Sequence, residues 1–240
     1  MNPRFISALG LLVMVGLAWL MSSHKKRVNP RIVIGGLLLQ FVFALLILKT
    51  PWGRYLFQQV DRVFVSLLDF VDDGSSFVFG DGFREHFFAF KVLPTIIFFS
   101  SFMSIFYYFG IMQRIVGLFA RFMQITLGTS GAETLSAAAN VFVGQTEAPL
   151  VIRPYIASMT MSELNAVMVG GFATIAGGVL AAFVDMGISA QHLLSASVIS
   201  APAALLIAKV MQPEVDSPKT LGSVTIDVEE PATNVLEAVA

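Results

Sequence analysis

The stretch NVFVGQTEAPLVIRP, residues 140–154, decides how this sequence folds. It places an amide, a hydroxyl, a carboxylate and a guanidinium close together in a chain of 240 residues that is 56% hydrophobic and 13% charged. Soluble domains are typically about 45–50% apolar and about 25% charged. The composition therefore indicates an integral membrane protein, whose apolar helix is interrupted here by Gly144 and Pro149.

The apolar segments on either side of this stretch are both short. A hydrocarbon core of about 30 Å requires about 20 helical residues, and neither segment is that long. The first segment begins with SGAE, in which Ser130 and Glu133 form a capping box at a helix start. The second resumes after Pro149, which suits a first helical turn, and continues to about Ile156. Two half-length helices joined by a polar tip predict a re-entrant hairpin.

A second interruption is predicted in the apolar run 164–184. The run opens with another capping box, Thr160 with Glu163, and contains GGFATIAGG at residues 170–178. Each Gly costs roughly 1 kcal/mol relative to Ala in a helix, so the span is expected to be discontinuous near Thr174. Irregular backbone at membrane depth requires protein or water around it, and secondary transporters use such breaks to bind substrate and ion.

The remaining apolar segments bring the total to about five spans. Residues 5–21 are interpreted as a retained span rather than a signal peptide, because the basic cluster HKKR follows the apolar run and no A-x-A-like site does. The other predicted elements are a span at 32–48, an amphipathic interfacial helix from Leu56 onward, turns at 74–82, a span at 87–109 with a tail through 111–122, and a span at 193–211 kinked near Pro202. The fold class is therefore all-α.

Basic residues predict the orientation. The short loop from His24 to Arg31 is rich in Lys and Arg and is expected to be cytoplasmic, which places the amino terminus outside. Arg114, Arg121 and Lys209 then also lie inside. The protein is predicted to be a multi-pass protein of the cell inner (plasma) membrane.

The chain divides into five predicted units. These are the two amino-terminal spans (1–50), the interfacial helix and loop (51–86), a scaffold span and following helix (87–128), a hairpin, broken span and final span that form half of a transport domain (129–212), and a polar segment with the start of a further helix (213–240).

The hairpin tip carries side chains suited to ligand binding. Gln145 offers an acceptor and two donors, Thr146 a hydroxyl and Glu147 an acceptor, a set that can recognise a planar heterocycle. Oxygen ligands for sodium could come from five residues in the two interruptions: Asn140, the carbonyl of Val143, Thr146, Thr174 and the carbonyl of Ile175. From spacing alone, interhelical hydrogen bonds explain Asn140 and Thr174 equally well.

Other patterns leave alternatives open. Glu147 could carry a proton instead of accepting from a substrate, and Asp69, Asp72 and Asp73 could hold magnesium in an intramembrane lipid-diphosphate enzyme, although this motif occurs once and a solvated acidic face also explains it. A truncated, non-transporting membrane scaffold is a further alternative. The chain has no Cys, and no basic tract with interleaved aromatics indicates nucleic acid binding.

Two motifs resemble one family. AAANVFVGQTEAPLVIRPYI, residues 137–156, and VMVGGFATIAGGV, residues 167–179, closely resemble the first half of the concentrative nucleoside transporters. The resemblance implies a sodium-coupled nucleoside symporter rather than an enzyme, assembled as a homotrimer, with no organic cofactor. It also implies that this chain is the first of two inverted repeats and that its partners are a nucleoside, sodium and membrane lipid.

The resemblance also implies roles for individual residues. The substrate-binding set is Gly144, Gln145, Thr146, Glu147 and Val179, and the sodium set is Asn140, Val143, Thr146, Thr174 and Ile175. Thr174 stands where some relatives have Ser, which also supplies a hydroxyl. The family has a second hairpin and broken helix that recognise the ribose, and this sequence lacks them. Because residues 232–240 look like the start of a helix, the chain is expected to be an amino-terminal fragment.

Overall fold

The computed structural model describes residues 3–220, and this range contains helices and no β-strand. The predicted all-α class is confirmed, whereas the predicted helix start at 232–240 lies outside the described residues. The helices are α1 Pro3–Leu20, α2 Pro30–Leu48, α3 Pro51–Phe79, α4 Leu93–Tyr108, α5 Ile111–Leu127, α6 Gly131–Ala139, α7 Arg153–Ile156, α8 Met161–Ala173, α9 Gly177–Asp185 and α10 Ala190–Met211. Short 3₁₀ turns cover Lys25–Arg27, Asp81–His86 and Leu150–Ile152, and a π-helical turn covers Phe88–Val92.

Within the described range, four helical stretches are long and apolar enough to cross a membrane. They are Pro30–Leu48, Phe88–Tyr108, Met161–Asp185 and Ala190–Met211. The apolar part of α1, Phe5–Leu20, is shorter, so the predicted fifth span at 5–21 stays a prediction. Pro202 lies inside α10, which continues through it.

The helix starts follow local capping chemistry. Both predicted capping boxes are present: the backbone N–H of Ser130 donates to Glu133 at 2.8 Å, and that of Thr160 donates to Glu163 at 2.8 Å. The side chain of Thr50 caps α3, where proline occupies the first helical turn.

Two predicted boundaries are wrong. The predicted turn region 74–82 is helical as far as Phe79, and the turn comes at Gly80, whose φ of 81° ends α3. The apolar face of α3 continues from Val71 to the buried Ser75, so packing on this face outweighs the cost of Gly74. The predicted tail at 111–122 is not a continuation of α4, because Gly110 adopts a φ of 70° and α5 starts afresh.

Helix α10 lies at the centre of the packing. It contacts α1, α2, α3, α6, α8 and α9. The main core joins it to α2, α5, α6 and α8 through Leu39, Phe43, Met123, Leu127, Ala137, Ala166, Ala201 and Leu205. This arrangement holds the half-length helices α6 and α8 against a full-length one.

A buried ionic cluster, here called the base cluster, joins the starts of α6 and α8 to the end of α10. Lys209 Nζ lies 2.7 Å from Glu133 Oε2 and 3.1 Å from Glu214 Oε2. Ser130 Oγ donates to Glu163 at 2.5 Å, so the two capping boxes share a hydrogen bond. Because burial of an unpaired charge is costly, these partners fix the ends of the three helices relative to one another.

Helix α3 is fixed to the turn between α9 and α10. The carboxylate of Asp61 accepts from Ser189 Oγ at 3.2 Å and from the backbone N–H of Gln191 at 3.1 Å. Apolar contacts around Leu68, Phe99 and Leu180 strengthen the same junction.

Candidate functional site

The first interruption begins earlier than the sequence predicts. Helix α6 ends at Ala139 and turns occupy the following residues, so the break starts at Asn140 rather than at Gly144. The second arm is a 3₁₀ turn, Leu150–Ile152, followed by the one-turn helix α7, rather than a longer half-helix. Pro154 has no N–H to donate to Leu150, which prevents a continuous α-helix there.

The two arms of this segment pack against each other. Leu135 and Ala139 on α6 belong to the same buried cluster as Val151 and Ile152 after the loop. The chain therefore doubles back on itself, and its polar loop forms a tip between two apolar arms. Gln145, Thr146 and Glu147 are exposed at this tip, whereas Ala148 is buried below it.

The second interruption lies where the glycine doublets predict it. Helix α8 ends at Ala173, Thr174 is extended with φ −128° and ψ 165°, and α9 begins at Gly177. The predicted discontinuous span is confirmed. Thr174 Oγ1 donates to the carbonyl of Gly170 at 2.9 Å, so the hydroxyl points back along α8. The lone pairs of this oxygen can still accept a hydrogen bond or bind a cation.

The two interruptions lie directly against each other. A Cβ added to Gly144 would lie 2.7 Å from Cβ of Ala176, and one added to Gly177 would lie 2.6 Å from the carbonyl oxygen of Phe142. Both distances are shorter than any side chain tolerates, so glycine is required at these two positions. The two breaks therefore converge in the fold.

A cavity of about 190 Å³ opens beside this junction. The carboxylate of Glu147 and the side chain of Val143 lie on one side, and the first turn of α9, Gly177 to Val179, lies on another. The third wall is a face of α4. A carboxylate next to the first turn of a helix and apolar groups around it suit a small ligand that combines hydrogen-bonding groups with a flat apolar body.

The predicted substrate residues do not all line this cavity. Glu147 and Val179 do, while Gly144 packs on Ala176 beside it. Gln145 lies on the α8 side, where its Cβ is 3.1 Å from the position of a Cβ on Gly171. The Glu147 carboxylate also accepts from the backbone N–H of Gly144, which closes the turn at the tip.

Two of the predicted sodium residues, Asn140 and Thr174, approach Gly170. Asn140 is 1% exposed, and neither its amide oxygen nor its amide nitrogen has a hydrogen-bond partner. Its Nδ2 lies 3.3 Å from the position of a Cβ on Gly170, whose carbonyl accepts from Thr174. Buried polar groups almost always have partners, so an unpartnered amide oxygen here fits a cation ligand. Val143 is buried in the loop after α6, Thr146 is exposed at the tip, and Ile175 lies in the link between α8 and α9.

The acidic alternative finds no support in the geometry. Asp69 and Asp73 are exposed, whereas Asp72 pairs with Arg84 at 2.6 Å and with Lys91 at 3.4 Å. Lys91 also lies 2.7 Å from Asp185 at the end of α9. Between residues 3 and 220, no three His, Asp or Glu side chains are grouped as metal ligands.

One wall of the cavity was not predicted. Ser100, Ser104 and Tyr107 on α4 line it, although the aromatic stretch around them suggests only a packing or lipid-facing surface. Their spacing of four and three residues places the three hydroxyls on one face of an otherwise apolar helix. That spacing is the signal that could have identified them.

Comparisons with known proteins agree with this geometry. A family model described as "Na+ dependent nucleoside transporter N-terminus" matches residues 9–82, and one described as "Nucleoside recognition" matches residues 89–190. Solute carrier family 28 member 3 of Eptatretus stoutii is 49% identical over 97% of this chain, which spans 34% of that relative. Sodium/nucleoside cotransporter 2 of Rattus norvegicus is 50% identical over 90% of the chain, which spans 33% of that relative.

Solved structures show the same fold. The structure of CNTnw in an inward-facing substrate-bound state has a TM-score of 0.91 and 41% identity, and the match covers 100% of this chain and 60% of that one. These relatives are nucleoside cotransporters rather than enzymes. The chain spans about a third of the length of the curated relatives that it matches. It belongs to the concentrative nucleoside transporter family and corresponds to the amino-terminal part of these relatives.

Proposed function

We propose that this chain supplies the amino-terminal part of the site of a sodium-coupled nucleoside transporter. One observation carries the proposal: two backbone interruptions are packed so closely that glycine is required between them, and a cavity and an unpartnered buried amide lie at their junction. Broken helices that meet in this way are typical of the sites of secondary transporters. The names of the relatives, sodium/nucleoside cotransporters, support the same substrates for this chain.

The hairpin tip is proposed to bind the nucleobase. Gln145 pairs with the edge of the base, Glu147 accepts hydrogen bonds from it, and Thr146 adds a hydroxyl. Gly144 allows the tip to approach the second break, and Val179 contacts the face of the base across the cavity. The exposure of the three polar tip residues supports this role, because they are available to a ligand.

Sodium is proposed to bind where Asn140 and Thr174 approach Gly170, with further oxygens from Val143, Thr146 and Ile175. Thr146 belongs to both proposed sets, so sodium would orient a side chain that also faces the base. Each ligand would then increase the affinity for the other by the same factor. This shared residue gives a direct physical route for coupling.

The remaining proposals concern assembly. The hairpin re-enters the membrane without crossing it, the segment 24–31 faces the cytoplasm, and the chain is the first of two inverted repeats in a homotrimer of the plasma membrane. The basic residues of that segment and the short arms of the hairpin support the first two points.

Uridine uptake by the complete transporter that carries this chain tests the substrate assignment. Gln145→Ala and Glu147→Gln should each abolish uptake while surface expression is retained. The matched control is Glu85→Gln, which changes an exposed carboxylate away from the cavity and should leave uptake unchanged. Normal uptake by both tip variants would contradict the proposal.

Separate measurements distinguish the alternatives. Uptake that follows sodium at constant pH supports sodium coupling, whereas uptake that follows the proton gradient and ignores sodium would make Glu147 a proton carrier. A membrane scaffold without transport activity would show neither dependence. Uridine uptake by the chain reconstituted by itself would exclude that case.

A further inference from the structure

The wall of the cavity on α4 has a polar edge. Six residues of this helix line the cavity: Ile96, Phe99, Ser100, Met103, Ser104 and Tyr107. Their spacing of three, one, three, one and three residues defines a single face of the helix. Three of the six carry hydroxyls, although the helix otherwise reads as an apolar span.

This face is held at a fixed distance from the second break. Cγ2 of Ile96 lies 3.3 Å from the position of a Cβ on Gly178, and α4 packs along α9. Phe99 is 3% exposed and stacks on Phe64 of α3 at 5.1 Å between ring centroids, which fixes the rotation of α4 about its axis. The hydroxyl edge therefore points into the cavity because the neighbouring positions are packed.

The hydroxyls differ in what they can reach. A serine in a helix can donate to the carbonyl four residues earlier, so Ser100 and Ser104 can be satisfied within α4. The hydroxyl of Tyr107 stands at the far end of a ring, beyond the carbonyls of its own helix. Tyr107 lines the same cavity as Glu147, which is the charged residue of the lining.

We propose that Tyr107 is a specificity-determining residue, whose hydroxyl, supported by Ser104, hydrogen-bonds an exocyclic group of the nucleobase from the side opposite the hairpin tip. The inference rests on the proposed function and adds a second contact surface to it. Within this cavity the tip supplies the carboxylate of Glu147, and α4 supplies hydroxyls. A ligand held between them must carry polar groups on two sides of a flat ring, which describes a nucleobase and excludes a simple aliphatic solute.

The variant Tyr107→Phe tests this in the complete transporter, with uridine and cytidine as probes. It removes one oxygen and keeps the ring. A hydrogen bond is typically worth about 0.5–1.5 kcal/mol, so KM for uridine should rise roughly two- to twelvefold. The uridine to cytidine ratio of Vmax/KM should change, because the two bases differ in an exocyclic group. Half-activation by sodium should stay within about twofold, because the proposed sodium residues lie elsewhere.

The matched control is Tyr108→Phe. Tyr108 is the next residue, packs edge-on against Phe109 with centroids 5.3 Å apart, and does not belong to the cavity lining. Its KM and base preference should equal those of the unmodified protein. Ser104→Ala should show a smaller change in the same direction as Tyr107→Phe.

The proposal is overturned if Tyr107→Phe and Tyr108→Phe have the same KM and the same base preference at equal surface expression. If these two variants are alike and Gln145→Ala still abolishes uptake, only the proposed α4 contact is wrong and the proposed function stands. Normal uptake in the tip variants would instead overturn the proposed function itself. If Tyr107→Phe reaches the surface poorly, equilibrium binding of uridine and of cytidine to the purified protein decides between these outcomes by the ratio of the two affinities.

Discussion

The base and the tip of the hairpin are both polar, but their side chains are satisfied in opposite ways. At the base, Glu133 and Lys209 are 1% and 3% exposed and lie 2.7 Å apart. At the tip, Gln145 and Glu147 are exposed, and the amide of Asn140 below them is buried without a partner. The polar groups of the base are satisfied within this chain, whereas the proposed function has a ligand satisfy those of the tip.

This difference separates structural from functional polar groups. A buried network whose members all have partners specifies one arrangement of helices, and removing a partner leaves an uncompensated charge. An unpartnered buried group costs stability in the free protein and therefore needs an explanation, of which a bound ion is one. Burial by itself would not have distinguished Glu133 from Asn140, because both are about 1% exposed.

The largest effect is expected at the base. Lys209→Met leaves Glu133 and Glu214 without their cation, which should reduce the free energy of unfolding by about 3–5 kcal/mol. Thermal unfolding in detergent, followed by size-exclusion chromatography, measures the change. Lys219→Met is the control, because Lys219 is exposed, and it should unfold like the original protein. An unchanged unfolding midpoint in Lys209→Met would show that the base cluster is not structural.

The next effect is expected at the junction of the two breaks. Gly177→Ala places a Cβ 2.6 Å from a backbone carbonyl oxygen, so the loop or α9 must shift, at a cost of about 1–3 kcal/mol. Uridine uptake should be lost even where the protein still reaches the membrane. Gly16→Ala in α1 is the control, because no atom lies within 4 Å of its added Cβ. Full uptake in Gly177→Ala would mean that the tip does not depend on close packing.

A smaller effect on stability, but a large one on sodium activation, is expected for Asn140→Leu. An apolar group of similar size replaces an unpartnered amide, so the unfolding midpoint should stay constant or rise. Half-activation of uptake should need at least about tenfold more sodium, which is about 1.4 kcal/mol.

The control for this variant is Asn165→Leu. The amide of Asn165 donates to the carbonyl of Ala208 at 3.1 Å, so its loss should reduce stability by about 1 kcal/mol and leave sodium activation unchanged. If the two variants behaved alike, the contrast between satisfied and unsatisfied amides would not hold.

The smallest effect is expected for Thr174→Ser. Serine keeps the hydroxyl that bonds to Gly170, so sodium activation should change by less than about twofold. Thr174→Val removes the oxygen and keeps the shape, and it should raise the sodium requirement. Equal sodium curves for Thr174→Ser and Thr174→Val would remove Thr174 from the proposed sodium set.

Local rules predicted the parts of this fold that local chemistry controls. Both capping boxes and the break at Thr174 follow from residues within a few positions of each feature. The end of α6 at Ala139 was placed too late, because nothing in the sequence near Asn140 prevents a further helical turn. Contact with Gly170 of α8 accompanies this end, and that contact requires the folded chain.

Contacts between residues distant in the sequence also explain the other wrong predictions. Gly74 suggests a turn, but the packing of its neighbours keeps α3 helical through it. The pairing of Lys91 with Asp72 and Asp185 joins three separate segments, so sequence spacing gives no sign of it. The face of α4 that lines the cavity could not be predicted either, because any face of an apolar helix could have packed against α9.

Lys91 has a mechanical consequence for the broken span. It joins the end of α9 to α3 through Asp185 and Asp72. The start of α8 is joined to the end of α10 by hydrogen bonds from Ser162 to the carbonyl of Gln212 and from Asn165 to the carbonyl of Ala208. The two helices of the broken span, α8 and α9, are therefore each fixed at the end away from the break, and the three-residue link from Thr174 to Ala176 connects them. If the two fixed ends move relative to each other, the backbone changes most in this link, next to the groups proposed to bind sodium.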